Sequence, residues 1–323
     1  MTEVPEPGEL AIHTSGLGKS FGKRRVVNDL DLAVPRGSVF GFLGPNGSGK
    51  TTTIRMLLGL AAPDSGSISL LSESMPGAAS RVLPRVGSLI EGPAFYPFLS
   101  GRANLVRFDS ADRTSDASTR TRRVDAALEK VGLGKAARLA VHAYSLGMKQ
   151  RLGIANALVT ERELLVLDEP TNGLDPHGTR EVRHLIRALA AEGTTVFVSS
   201  HLLSEVEQMC SHVAVMSVGN LVAQGRLEEL RAEGKRMVTL RTPDTGVAMA
   251  VLSRLGLEAR LDAVPAGEDG VLAAALGNGA PEPERLVEEL VAAGVRVRGF
   301  TVQAASLEER FVALTGEGFD LVQ

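Results

Sequence analysis

The chain has 323 residues, enough for about two domains. Its 44% hydrophobic and 23% charged content is that of an ordinary folded protein with a sizeable core. A formal net charge of −3 gives no overall electrostatic reason to hold nucleic acid, and no nucleic-acid partner is expected. One cysteine, Cys210, excludes an internal disulfide framework. No stretch reads as a spanning helix. The longest uncharged run, 208–225, is interrupted by Gln208, Ser211, His212, Ser217, Asn220 and Gln224. The acidic start MTEVPEPGEL lacks the character of a signal peptide, so a cytoplasmic chain is expected.

In chain order, residues 1–9 read as a disordered leader. Residues 38–43 (SVFGFL) predict a buried strand, followed at once by a glycine-rich loop and a helix over 52–60. The polar stretch 107–126 reads as a surface segment leading into a helix at 124–131. Residues 164–167 and 194–199 predict further buried strands with a helix over 179–191 between them, and this alternation indicates a largely parallel sheet. Beyond Arg226 the pattern changes to strand 236–242, helix 246–255, strands 258–263 and 270–275, helix 282–293, strand 295–303 and helix 306–315. That order suggests a small α+β unit of the split βαβ type. The expected division is therefore a leader at 1–9, an α/β domain at 10–225 and an accessory α+β domain at 226–323.

Gly44-Pro45-Asn46-Gly47-Ser48-Gly49-Lys50-Thr51 satisfies G-x-x-x-x-G-K-[ST] at every fixed position, with a strand before it and a helix after it. Glycines let successive backbone N–H groups turn inward around phosphate oxygens, and the helix N-terminus adds partial positive charge. Lys50 is placed to reach the β- and γ-phosphates and Thr51 to ligate Mg²⁺, with Thr52 beside it, so the segment reads as an ATP site. Asp168 ends the apolar run LLVL and would hold Mg²⁺; Glu169 follows and would orient or deprotonate the attacking water.

Several further segments narrow the reading. Tyr144-Ser145-Leu146-Gly147-Met148-Lys149-Gln150-Arg151 precedes the Asp168 strand, Asn172-Gly173-Leu174-Asp175 follows it, and His201 comes after TTVFVSS. In this order and spacing, residues 10–225 resemble the nucleotide-binding subunit of an ABC transporter. The resemblance implies a P-loop NTPase fold of ABC type, with a mixed sheet core and a helical subdomain. It implies that Phe21 stacks on adenine and that Ser145 and Gly147 contact the γ-phosphate of ATP held by the other protomer. By the same resemblance Asp175 couples the two sites and His201 contacts the γ-phosphate. Each has a plainer reading too: Phe21 as core, Ser145 as a helix cap, Asp175 as a turn residue, His201 as a satisfied loop histidine.

Two departures from the family pattern are present. Leu146 and Met148 stand where the common signature Leu-Ser-Gly-Gly-Gln has its first Gly and its Gln. Glu91 stands where the family carries a loop glutamine, and a carboxylate there can still ligate Mg²⁺. Both departures, and the tail 306–316, resemble the bacitracin- and daunorubicin-resistance-like branch of exporter ATPases. Phe95, Tyr96 and Phe98 crowd the segment after Glu91; they suit either a groove for a membrane subunit's helix, around Glu91–Leu99, or packing on the chain's own helices. One phosphate loop and one signature per chain imply a homodimer. The resemblance further implies a separate multi-span membrane permease, attachment at the cytoplasmic membrane face, and export of an antibiotic, peptide or lipid. A soluble ABC ATPase acting on ribosomes or DNA is the alternative.

Overall fold

The computed structural model describes residues 9–90, 94–112, 114–232, 236–262, 269–277 and 279–303. Two antiparallel hairpin-like strands open the chain, β1 (Leu10–Phe21) and β2 (Arg24–Leu30), followed by the short β3 (Ala33–Pro35). Next come β4 (Val39–Leu43), α1 (Lys50–Leu57), β5 (Ser65–Leu70), β6 (Glu73–Met75), α2 (Ala79–Val82) and β7 (Val86–Leu89). A helical segment supplies α3 (Gly101–Ala111), α4 (Arg120–Lys130) and α5 (Leu146–Ala157). The chain returns through β8 (Leu164–Asp168), α6 (Pro176–Ala191), β9 (Thr195–Ser200), α7 (Leu203–Met209), β10 (His212–Ser217), β11 (Asn220–Arg226) and α8 (Leu227–Ala232).

Every residue of β4, β8 and β9 is buried, which is why these strands read as unbroken apolar runs rather than alternating ones. They lie side by side in a six-stranded sheet of order β11-β10-β4-β9-β8-β7, parallel except for β11 at one edge. A second, antiparallel sheet runs β2-β1-β5-β6, with β3 also paired to β1. The predicted parallel sheet is therefore one of two. The antiparallel sheet escaped the sequence pattern because its strands are partly exposed and bulged, as in β5 (SGSISL). One core cluster joins the sheets: Ile12, Leu17 and Leu70 from the antiparallel sheet, Ile54 and Leu57 from α1, and Phe40, Phe42 and Phe197 from the parallel one. The three phenylalanine rings pack at centroid distances of 5.8 and 5.2 Å.

The helical segment includes the stretch 107–126, which lies mostly at the surface as expected, with Asp109 and Val124 the buried exceptions among its described residues. That stretch holds the end of α3 and the start of α4, and its Asp109 side chain is only 2% exposed. Arg120 and Arg123 close on this carboxylate at 2.8 and 2.7 Å, so burial of the charge is compensated by paired cations.

The chain divides into two compact units between Leu227 and Glu228. In the second, β12 (Arg236–Thr242), α9 (Thr245–Arg254), β13 (Ala259–Asp262), β14 (Gly270–Leu276), α10 (Pro283–Ala292) and β15 (Gly299–Gln303) follow one another. The sheet order is β13-β14-β12-β15, antiparallel throughout, which is the split βαβ arrangement. Alternate residues Val238, Leu240, Leu272 and Ala274 are buried with Leu286 and Leu290 of α10. The last strand begins at Gly299 rather than 295. Residues 1–8 of the predicted leader 1–9, Glu91 and the predicted helix 306–315 lie outside the described residues.

Candidate functional site

Parallel strands end at the same edge, so whatever follows β4, β8 and β9 converges there. Register makes the convergence specific. Leu43, the last residue of β4, is paired with Ser200, and Asp168 is paired with Ser199. The loop 44–51 therefore leaves its strand beside the residues that precede His201 and beside the acidic end of β8.

The loop is held by backbone geometry that side chains would obstruct. Gly49 caps α1 at φ 105°, and a Cβ there would sit 2.7 Å from the Val26 carbonyl oxygen. A Cβ on Gly44 would stand 2.5 Å from the Met216 carbonyl oxygen. The loop is buttressed from outside: the Gly219 N–H donates to the Ser48 carbonyl at 3.1 Å, and the Asn28 N–H donates to the Gly219 carbonyl at 2.8 Å. Gly219 belongs to a two-residue β10–β11 turn in which Val218 adopts φ 46°, an uncommon conformation for a β-branched residue.

Lys50 is 6% exposed. Its Nζ bends back to donate to the carbonyls of Gly44 and Pro45 at 2.6 and 3.2 Å, and lies 3.6 Å from Glu169 Oε1. Burial pushes its pKa down, against the opposing pull of the Glu169 and Asp168 carboxylates. The Ser48 hydroxyl, inside the same loop, is buried without a hydrogen-bond partner among the described residues. An ammonium, an orphaned hydroxyl and the start of a helix facing one concavity fit an anionic phosphate chain.

Thr51 Oγ1 donates to Asp168 Oδ2 at 3.0 Å, and Ser199 Oγ donates to Asp168 Oδ1 at 2.5 Å. A hydroxyl and a carboxylate side by side are hard oxygen donors, the set that fits Mg²⁺ bound together with phosphates and waters. Among the described residues no group of three or more His, Cys, Asp or Glu gathers as a protein-only metal cage. Glu91, the other expected metal ligand, lies outside the described residues.

Glu169 adopts φ 47°, a backbone conformation that for a non-glycine residue costs about 1–3 kcal/mol. The turn is held by its own N–H, which donates to Ser199 Oγ at 2.9 Å. Its carboxylate then faces His201, with Nδ1 and Oε2 2.8 Å apart. Toward an ionised carboxylate Nδ1 must carry the proton, which leaves Nε2 as the free ring nitrogen. Thus Lys50, Thr51, Asp168, Glu169 and His201, read separately along the chain, form one connected cluster.

Other expected site residues stand apart from it. Ser145 caps α5, its Oγ accepting from the Met148 N–H at 3.2 Å, and Asp175 caps α6 by accepting from the Gly178 N–H at 2.8 Å. The two caps are neighbours, since a Cβ on Gly147 would meet Leu174 Cδ2 at 3.7 Å and one on Gly173 would meet Leu146 Cδ2 at 3.0 Å. Among the described residues no hydrogen bond joins Ser145, Gly147 or Asp175 to the 44–51 loop. Phe21 is 55% exposed at the end of β1, with Lys19 Nζ 5.6 Å from its ring centroid, so its core reading fails and a free ring face remains. Phe98 is 85% exposed, Tyr96 lies under the Arg107 guanidinium at 4.5 Å, and Phe95 packs edge-on to Phe108 of α3. Phe95 therefore packs on the chain's own helix, as one of the two readings expected, while Phe98 faces solvent.

The sequence reading missed Ser199, Ser200 and Thr171. The available signal was a pair of hydroxyls closing an otherwise apolar strand directly before His201. It also missed Gln150 of the signature helix, 6% exposed, whose Nε2 reaches the Glu169 carbonyl at 3.5 Å.

The chain is similar to known proteins along most of its length. A family model described as "ABC transporter" matches residues 27–172. The bacitracin transport ATP-binding protein BcrA of Bacillus licheniformis is 38% identical over 95% of this chain and 98% of its own. The daunorubicin/doxorubicin resistance ATP-binding protein DrrA of Streptomyces peucetius is 36% identical over 96% and 94%. Among solved structures, cbiO1 from Clostridium perfringens, part of the ABC transporter complex cbiONQ, superposes with a TM-score of 0.64 and 27% identity, covering 77% of this chain and 96% of that one.

Proposed function

This chain belongs to the ATP-binding subunits of ABC transporters, and we propose that it powers a separate membrane permease by closing over ATP as a homodimer. Members of the family bind and hydrolyse ATP to drive transport, and this chain does so. Among the described residues no helix is long and apolar enough to cross a membrane. The permease is then a different chain, and this one sits at the cytoplasmic membrane face. The names of the relatives support export of an antibiotic or peptide. We assign residues 10–225 to the nucleotide-binding domain and 226–323 to an accessory domain.

The observation that carries the catalytic reading is the Lys50–Glu169–His201 contact set beside Thr51 and Asp168. Lys50 exchanges the Gly44 and Pro45 carbonyls for phosphate oxygens, which are charged and stronger acceptors. The backbone of 44–51 and the Ser48 hydroxyl complete the phosphate cradle, and Thr52 follows in α1. Thr51 and Asp168 would hold Mg²⁺, which when bound would neutralise charge developing on the phosphates. Glu169 orients the attacking water and takes its proton. His201, held through Nδ1, presents Nε2 to the γ-phosphate. Phe21 offers its exposed face to adenine.

Ser145, Gly147 and Asp175 act on ATP held by the partner protomer, a reading supported by their lack of hydrogen bonds to their own phosphate loop. The permease docks on the segment that includes Phe98. Phe98→Asp should abolish co-purification of the permease and leave the melting temperature unchanged; loss of folding would refute the docking role.

The functional test is a tagged Glu169→Gln chain recovered from native membranes in mild detergent with ATP. A stoichiometric multi-span protein in its mass spectrum supports the transporter reading. Ribosomal proteins or DNA without a membrane protein would overturn it.

A further inference from the structure

Glu205 is a buried carboxylate outside the groups assigned above. It lies in α7, is 8% exposed, and has both hydroxyl partners on one oxygen. Oε2 accepts from Thr171 Oγ1 at 2.5 Å and from Ser200 Oγ at 3.2 Å. The two donors come from different loops. Thr171 follows β8 two residues after Glu169, and Ser200 ends β9 directly before His201. Ser200 Oγ in turn accepts from the Leu202 N–H at 3.0 Å, so the backbone on both sides of His201 is tied to the same node. Glu169, Thr171, His201 and Glu205 all line one cleft of about 570 Å³.

Desolvating a carboxylate is costly, and Gln or a packed apolar residue would fill the space at lower cost. An ionised acceptor, however, holds neutral hydroxyls more strongly than a neutral one does. We propose that Glu205 is a positioning residue: by accepting a hydroxyl from each loop, it sets the spacing at which Glu169 and His201 meet. The contact it protects is the 2.8 Å approach of His201 Nδ1 to Glu169 Oε2, and Glu205 itself touches neither group. The inference rests on the hydrolytic roles given to Glu169 and His201.

The test is steady-state ATP turnover by the purified full chain carrying Glu205→Ala, Glu205→Gln, Thr171→Val or Ser200→Ala, with Glu169→Gln as control. Glu205→Ala should lower kcat by about tenfold or more, since small misplacements of reacting groups are expensive. The KM for ATP should stay within about twofold because the Lys50 cradle is untouched. Glu205→Gln, whose amide oxygen can occupy the Oε2 position, should recover most of the loss. Thr171→Val and Ser200→Ala should each give a partial loss of kcat, and Thr171→Val added to Glu205→Ala should cost nothing further. Should Glu205→Ala fail to fold, the two hydroxyl variants carry the same prediction alone. An unchanged kcat in the folded variants, or a Glu205→Gln variant as impaired as Glu205→Ala, overturns the proposal. A fully active Glu169→Gln control would instead overturn the catalytic assignment beneath it.

Discussion

The edge of the parallel sheet and the C-terminal unit use charge in opposite ways. At the sheet edge Lys50 is buried, Glu169 sits at a positive φ, and the Ser48 hydroxyl lacks a partner among the described residues. In the C-terminal unit the buried residues described are apolar apart from Thr242, and charged pairs such as Arg296–Asp244 and Arg254–Glu289 lie on the surface. Buried charge, backbone strain and unmet hydrogen bonds each cost stability and persist where a ligand or reaction repays them. The first region is therefore organised around binding anions, and the second around its own fold. The contrast fits a proposed catalytic constellation that falls entirely before residue 227.

The largest expected effect removes the chemistry while sparing the fold. Glu169→Gln should reduce ATP turnover by about 10²- to 10⁴-fold, the range of a lost general base, with no fall in melting temperature. A residual rate above about a tenth of the parent would assign proton transfer elsewhere. In the C-terminal unit the opposite outcome is expected. Leu240 is fully buried at the centre of its core, and Leu240→Ala should destabilise that unit by about 2–5 kcal/mol in chemical denaturation. Affinity for a fluorescent ATP analogue should stay within about twofold, because every proposed nucleotide contact lies in the first unit; a collapse of affinity would break the contrast.

Strain near the phosphate loop supplies a smaller test. Val218→Asn places a residue tolerant of positive φ in the turn that supports Ser48, and should stabilise the protein by about 1 kcal/mol. Destabilisation would mean that the valine side chain, 78% exposed, contributes more than its backbone costs.

The smallest effect concerns acid stability. Hydrogen bonds from the Arg296 side chain, then from its backbone N–H, hold the Asp244 carboxyl down at about 2. A depressed carboxylate pKa contributes stability that is complete above the unfolded value, near about 4, and is lost as pH falls toward about 2. Removing the side-chain hydrogen bonds with Arg296→Ala should flatten that part of the acid limb for the C-terminal unit and leave neutral-pH behaviour alone. An identical acid titration in parent and variant would refute the linkage.

The parts of the site read from sequence are those whose chemistry is local. A phosphate cradle is one continuous loop of backbone N–H groups, so its residues must be consecutive, and 44–51 carries them in order. Asp168-Glu169 announces itself by ending an apolar strand. Glu205, Thr171, Ser199 and Ser200 carry no such spacing. Each is an ordinary polar residue until the strand register sets Asp168 against Ser199 and α7 turns Glu205 beneath both loops. Asp109 shows the same limit: one acidic residue in a polar surface stretch looks solvated until Arg120 and Arg123 fold over it.

Periodicity and local motif determined the buried strands, the phosphate loop and the alternation of the C-terminal unit, because each depends on residues a few positions apart. The meeting of Glu169 with His201, 32 residues later, was settled by folding. Two adjacent parallel strands end at one edge, and hydrogen-bond register across them determines which side chains face each other.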